Sequence, residues 1–413
     1  MTVRGWLQVP VGVSAERWAT RTDLRKVLVL AHSVAALQRL LDVTPLFETD
    51  LRIQTVYAVG DGGFSHSVAD VLRELRAVVV PWEQATQESF ALVLTSGYSG
   101  VHELRSPVLA IAHGAGRNKR ISPSSGHLGL RIPTLYGLSQ QQLVRDGRLV
   151  VSALGLSHAR ELAVLEETCP EAVPSALVIG DPCFDRILTG VSRRSDYRHS
   201  IGIAGDEKLL VMCSTWGRHS LFGSRFDILD SVAKEAQPGK LRVALMLHPA
   251  VWYGHGRRQV EAWLERLRSR GLIVVDPDLE WRSLLIAADW VLGDHGSTSL
   301  YAAAAGASFI HVDFPSEVVA PDSPIAWLHS AATRWSDSTS AVEQFSAIES
   351  ERARRVAEET GRRITSCPGN SAALMRRAIY GYMPFEEPTE LAALPLLPAP
   401  LTSLYQGGPG SSS

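Results

Sequence analysis

The sequence predicts an α/β protein built from two doubly wound domains, each a parallel sheet covered by helices. Short apolar runs alternate with helix-period stretches along most of the chain. The runs are continuous β-branched and leucine segments, as strands buried on both faces are. Two such series of similar length follow one another within 413 residues, a length that suits two or three domains at roughly 150 residues each.

In the first series the predicted strands are Lys26–Ala31, Ile53–Val59, Ala77–Val80, Phe90–Leu94, Val108–Ala112 and Leu149–Ser152, with helices at Val34–Asp42 and Ser67–Leu75. The second series begins near Ala176. Its predicted strands are Leu177–Ile179, Leu209–Cys213, Val243–Leu247, Ile273–Val275, Trp290–Leu292 and Phe309–Val312, with helices that include Arg258–Arg270 and Leu300–Ala305. One amphipathic helix is expected over Ser340–Arg363 and another over Ser371–Tyr382. After Met383 the composition turns to Pro, Ala and Leu, then Gly and Ser, which predicts a disordered or loosely docked tail. The expected organisation is therefore a first domain over 1–174, a second over 175–382 and a tail over 383–413, with the domains facing across a cleft.

Composition narrows the function. Basic and acidic residues number 41 and 43, a formal charge of −2, where a dedicated nucleic-acid binder carries a basic excess. No nucleic-acid partner is expected. Only five of the basic residues are lysines (Lys26, Lys119, Lys208, Lys234 and Lys240), so a lysine inside a motif stands out. The four cysteines, Cys169, Cys183, Cys213 and Cys367, have neither paired spacing nor zinc-ligand spacing. Charges at Arg4, Glu16, Arg17 and Arg21 interrupt any signal-like N-terminus, and no apolar run reaches 18 residues. A cytoplasmic protein is expected.

In open α/β sheets, ligands bind beyond the carboxyl ends of the strands, so strand ends that carry reactive residues are the candidates. One apolar strand runs into His113, then Gly114-Ala115-Gly116-Arg117-Asn118-Lys119-Arg120. A histidine there can take a proton from an attacking hydroxyl. The glycines admit a phosphate to the backbone, and the cations can neutralise it. A turn histidine beside a solvated basic loop fits the same spacing. A second strand ends in Leu247-His248-Pro249; a histidine satisfied by backbone groups is the alternative there. A third runs through Ala288-Asp289 to Gly293-Asp294-His295-Gly296-Ser297-Thr298-Ser299 and an alanine-rich helix. Hydroxyls and open N–H groups at such a helix start make an anion site, although simple capping accounts for single residues. Gly180-Asp181-Pro182-Cys183-Phe184-Asp185 reads as a hinge turn, and Cys213-Ser214-Thr215-Trp216 as a strand end rich in hydroxyls. There is no GxxxxGK[ST], GxSxG, HExxH or GxGxxG in a βα context. No cofactor and no metal site are expected.

Taken in order, these motifs resemble the CDP-glycerol glycerophosphotransferase family, teichoic-acid-type transferases of GT-B fold. The residues that carry the resemblance are His113-Gly114 with Lys119, Gly180 through Asp185, Ser214-Thr215-Trp216, Leu247-His248-Pro249, and Ala288-Asp289 with Asp294 and Ser297. They lie within a likeness spanning residues 26 to 380. The chain departs from the family at His295-Gly296, where the family has Tyr-Ser. It departs again at Gly217, which displaces the expected arginine to Arg218. The basic amphipathic surface that the family uses to reach membranes is not evident, so membrane contact is not indicated.

The resemblance implies His113 as the general base on an acceptor hydroxyl, and His248, with the Ser297–Thr298 helix start, as holding the donor's pyrophosphate; His113 and His248 are the expected catalytic pair. It implies that Gly114, Lys119, Ser214, Thr215, Asp294, His295, Gly296, Ser297 and Thr298 form the phosphate and nucleotide site of a nucleotide-diphosphate donor, a CDP-alcohol or a nucleotide sugar. The expected activity is transfer of a glycerophosphate-like or glycosyl group to an acceptor hydroxyl compound. Two alternatives are a nucleotide-sugar epimerase, with Asp294, Asp313 or Asp181 as its acid, and a non-catalytic nucleotide- or partner-binding protein on the same fold.

Overall fold

A computed structural model describes residues 5–12, 15–121, 134–278 and 280–400. The chain forms two compact units. Of the described residues, the first gathers 5–12, 15–117, 121, 134–183 and 365–395, the second 118–120, 184–278, 280–364 and 396–400.

The first unit holds a parallel six-stranded sheet of β1 (Arg25–Ala31), β2 (Ile53–Val59), β3 (Leu92–Thr95), β4 (Val108–Ala110), β5 (Ala153–Leu156) and β6 (Ala176–Val178), in the order β6-β5-β4-β3-β1-β2. The chain leaves β1 to one side for β2 and then crosses to β3 on the other, so the sheet reverses direction between β1 and β3. Helix α1 (Val34–Leu41) starts on Ser33, whose hydroxyl accepts the Ala36 N–H at 3.2 Å. Leu28, Leu30, Val56, Val93, Ala110 and Leu154 form the middle of its core.

The second unit holds β7 (Lys208–Ser214), β8 (Leu241–Leu247), β9 (Ile273–Val274), β10 (Trp290–Gly293), β11 (Ser308–His311) and β12 (Thr333–Arg334), all parallel, in the order β9-β8-β7-β10-β11-β12. Its reversal lies between β7 and β10. Helix α2 (Ser297–Ala304) follows β10 directly. Leu210, Met212, Val243, Leu245, Leu292 and Ile310 sit in one apolar core with the helices outside them; each such side chain stabilises by about 1.5–3 kcal/mol when fully buried.

Several expectations shift. The strand foreseen at Leu149–Ser152 is instead a two-residue hairpin arm, Arg148–Leu149, and the sheet strand is β5, just downstream. Ala77–Val80 contributes only an isolated bridge from Val79 to Tyr57. The strand near Ala176 closes the first sheet rather than opening the second, because it pairs with β5. Ser340–Arg363 splits into Ala341–Ser346 and Ser350–Ile364, the first started by a Ser340–Glu343 capping box. Residues 365–395, with helix α3 (Ser371–Tyr380), return to the first unit, where the Tyr380 hydroxyl donates to Asp50 at 2.8 Å. The expected loose tail is docked as far as it is described. Leu397 is 1% exposed and its carbonyl accepts the Tyr197 hydroxyl at 3.0 Å; residues 401–413 lie outside the described residues.

Candidate functional site

The carboxyl ends of β7, β8 and β10 in the second unit collect most of the predicted donor residues. Asp294, the first residue after β10, is fully buried. Its carboxylate accepts the N–H of Thr215 at 3.1 and 2.9 Å, of Leu221 at 2.8 Å and of Gly296 at 3.0 Å. Those bonds tie the loop after β7 to the loop after β10. Burial outweighs them and the nearby Lys119 charge, and pushes the Asp294 carboxyl up to about 6. Asp294 thus acts through the backbone that it holds, with its oxygens already engaged.

Three other predicted residues serve the same local architecture. The Ser214 hydroxyl accepts the Phe222 N–H at 2.9 Å. The Thr298 hydroxyl oxygen lies against Gly296, 3.5 Å from where a Cβ there would stand. His295 is 5% exposed, with its ring 4.8 Å from that of Phe314, and burial pushes it down to about 4. Gly296 is the residue that caps α2, and no side chain caps the helix N-terminus. Open N–H groups at a helix start carry partial positive charge. The half-buried Ser297 and Thr298 belong to that first turn.

Thr215 packs against Gly296, and the next residue, Trp216, neighbours Lys119 and His248. Asn118–Arg120 pack with the second unit: Lys119 bridges Val319, the Asn118 carbonyl accepts the Ala320 N–H at 2.9 Å, and its side-chain oxygen accepts the Ile325 N–H at 3.3 Å. The Lys119 ammonium lies 5.2 Å from the centre of the Trp216 ring. Burial lowers its pKa, and Asp294 opposes that shift. Trp216 is 45% exposed, and its ring centre is 6.4 Å from that of His248. His248 caps the helix Pro249–His255; its Nδ1 accepts the Ala250 N–H at 3.0 Å, so the neutral ring carries its proton on Nε2. A lysine, an open helix start and an exposed aromatic face can together take an anionic group and a flat ring.

His113 and Gly114 belong to the first unit. His113 is exposed beyond β4, its ring edge-on to Tyr136 at 5.6 Å; Tyr136 is in turn edge-on to Tyr98 at 6.0 Å. The acidic alternatives are engaged elsewhere. Asp181 is paired with Arg39 at 2.6 Å, both buried, and Asp313 pairs with Arg334. Among the described residues no group of three or more His, Cys, Asp and Glu is placed to hold a metal ion, and no helix is long and apolar enough to cross a membrane.

Sequence reasoning named Trp216 only as part of a motif and passed over His32, which directly follows β1. The signal for His32 was the one used for His113 and His248, a histidine closing an apolar strand.

The chain matches no protein-family model and no curated protein sequence. Among solved structures it is similar to the wall teichoic acid polymerase TagF. A histidine variant of TagF superposes with a TM-score of 0.56 at 11% identity, over 86% of this chain and 88% of that one. A second TagF structure, soaked with CDPG, superposes with a TM-score of 0.55 at 9% identity, over 88% and 90%. The S. aureus MnaA–UDP structure gives a TM-score of 0.50 at 12% identity, over 89% and 100%. At these identities the likeness is one of fold: a mixed α/β chain with two parallel six-stranded sheets, of the GT-B class.

Proposed function

We propose that this chain is a GT-B transferase that takes a group from a nucleotide-diphosphate donor and passes it to an acceptor hydroxyl. The observation that carries the reading is the uncapped start of α2 at the β7/β10 reversal, with Thr215 packed against Gly296 and the next residue, Trp216, neighbouring Lys119 and His248. The diphosphate rests on the helix N–H groups, Lys119 neutralises it, and the exposed Trp216 face takes the base. Displacement at phosphorus or at an anomeric carbon develops charge on the leaving diphosphate, and oriented donors stabilise that charge. His248, with its proton on Nε2, donates to it. His113 removes the acceptor proton. TagF soaked with CDPG and MnaA with UDP support a nucleotide diphosphate as the ligand class.

Thermal unfolding with a panel of CDP, UDP and GDP compounds tests the reading. At 100-fold above its dissociation constant a true ligand stabilises by about 2.7 kcal/mol. A panel without any shift removes the donor site. Nucleotide release that needs no acceptor hydroxyl points to elimination or epimerisation instead, and binding without turnover to a non-catalytic protein.

A further inference from the structure

The first unit has its own reversal, between β1 and β3, and His32 stands at that point as the first residue after β1. Two glycines that end neighbouring strands enclose its ring. A Cβ at Gly97, beyond β3, would lie 2.5 Å from Nδ1, and one at Gly60, beyond β2, would fall inside the van der Waals envelope of the Nε2 edge. Neither glycine has a left-handed backbone, so close approach to the ring, rather than conformational freedom, accounts for the absence of a side chain at both.

The ring is fixed in orientation as well as in place. Its Nε2 lies 2.8 Å from the Ser99 carbonyl. A carbonyl only accepts, so Nε2 carries the proton and Nδ1 the lone pair; Nδ1 is buried and has no partner among the described residues. The bond that this arrangement secures holds the turn after β3. That turn carries Tyr98, whose hydroxyl donates to the Gly137 carbonyl at 3.2 Å and whose ring meets Tyr136 edge-on. Tyr136 meets His113 in the same way.

We infer that His32 is a positioning residue for the acceptor side of the reaction: its Nε2–H holds the Ser99 carbonyl, and through Tyr98 and Tyr136 it sets the place of the His113 ring. The inference rests on the reading of His113 as the acceptor base only for its effect on turnover; the structural coupling stands apart from it.

The test uses the full chain. The His113 ε1 proton resonance, identified by its loss in His113→Gln, reports the neighbouring Tyr136 ring. His32→Ala is expected to shift or broaden that resonance. His32→Gln, whose amide can still donate to Ser99, keeps it near its wild-type position. Gly97→Ala, which displaces the ring, reproduces the His32→Ala change, and the double variant His32→Ala/Gly97→Ala is no worse than His32→Ala alone, because the ring that the new methyl would strike is gone. In turnover, His32→Ala is expected to lower kcat ten- to hundredfold, the scale of a misplaced catalytic group, while KM for the nucleotide donor stays unchanged and His32→Gln restores most of the rate. An unmoved resonance in both His32→Ala and Gly97→Ala overturns the inference, as does an additive double variant. Should His32→Ala fail to fold, Gly97→Ala and His32→Gln still decide the question. A normal rate in His113→Ala with the resonance changes intact removes the base assignment and leaves the coupling standing.

Discussion

The Asp294 carboxylate holds the backbone N–H of Thr215 with both of its oxygens, at 3.1 and 2.9 Å. This joins the ends of β7 and β10, the two strands at which the second sheet reverses. A carboxylate buried this completely persists because its oxygens are matched by N–H donors, and the donors in turn shape both loops around the start of α2.

Asp294→Ala leaves the Thr215, Leu221 and Gly296 N–H groups without their acceptor. Hydrogen bonds to charged groups contribute about 1.5–3 kcal/mol each, part of it offset by removing the buried carboxyl itself. A destabilisation of about 3 kcal/mol is expected in urea unfolding, with nucleotide affinity lost under conditions where the variant is still folded. Unchanged affinity in the folded variant detaches Asp294 from the site.

Lys119→Ala is expected to weaken nucleotide-diphosphate binding ten- to hundredfold, about 1.5–3 kcal/mol for a charge-assisted contact. Calorimetric titration measures it, and the loss shrinks with added salt as a charge interaction does. Stability changes little, since the side chain makes no ion pair among the described residues.

Stability between pH 4 and 6.5 is expected to rise with pH. His295 and His329 are pushed down by burial, to about 4 and about 3, and burial lowers His311 as well. The unfolded chain protonates these rings near 6.5 and the folded one does not, so their stabilisation is complete above 6.5 and is lost as pH falls towards 4 and 3. Asp294 works the other way. With its folded pKa raised to about 6, its contribution is complete below 4 and is lost as pH rises through 6. Each group changes stability by at most ~1.4 kcal/mol per pH unit, so three histidines outweigh one aspartate. Denaturant midpoints across this range measure the slope, and His329→Phe flattens it. A profile that falls from pH 4 to 6.5 contradicts the burial of these three rings in their neutral form.

Much of this site was readable from the sequence because it depends on local signals. His113, His248 and Asp294 each follow an apolar run directly, and the polar loop before an alanine-rich helix marks a helix start without tertiary information. What was not readable is non-local. β5 reads Ala-Leu-Gly-Leu, and its glycine exists because the Ile179 and Ile111 side chains occupy the space of a Cβ; the stronger run just before it drew the prediction. Ala176–Val178 looks like the start of a second series until its pairing with β5 is seen. Lys119 stands six residues after His113, yet packs with the other unit, which spacing does not reveal.

Leu397→Ala tests the docked C-terminal segment. The side chain is 1% exposed and packs near Gly190. A loss of about 2–5 kcal/mol is expected for a buried leucine truncation, read by urea unfolding. A loss below 0.5 kcal/mol means the segment does not dock.

Nucleotide release from a CDP-, UDP- or GDP-linked donor, followed with and without a hydroxyl acceptor in the wild type, His113→Ala and His248→Ala, tests the transferase reading most directly. The expected result is acceptor-dependent release that falls 10²- to 10⁴-fold in His113→Ala, the contribution of a positioned general base, and falls substantially in His248→Ala. Wild-type rates in both variants would contradict it.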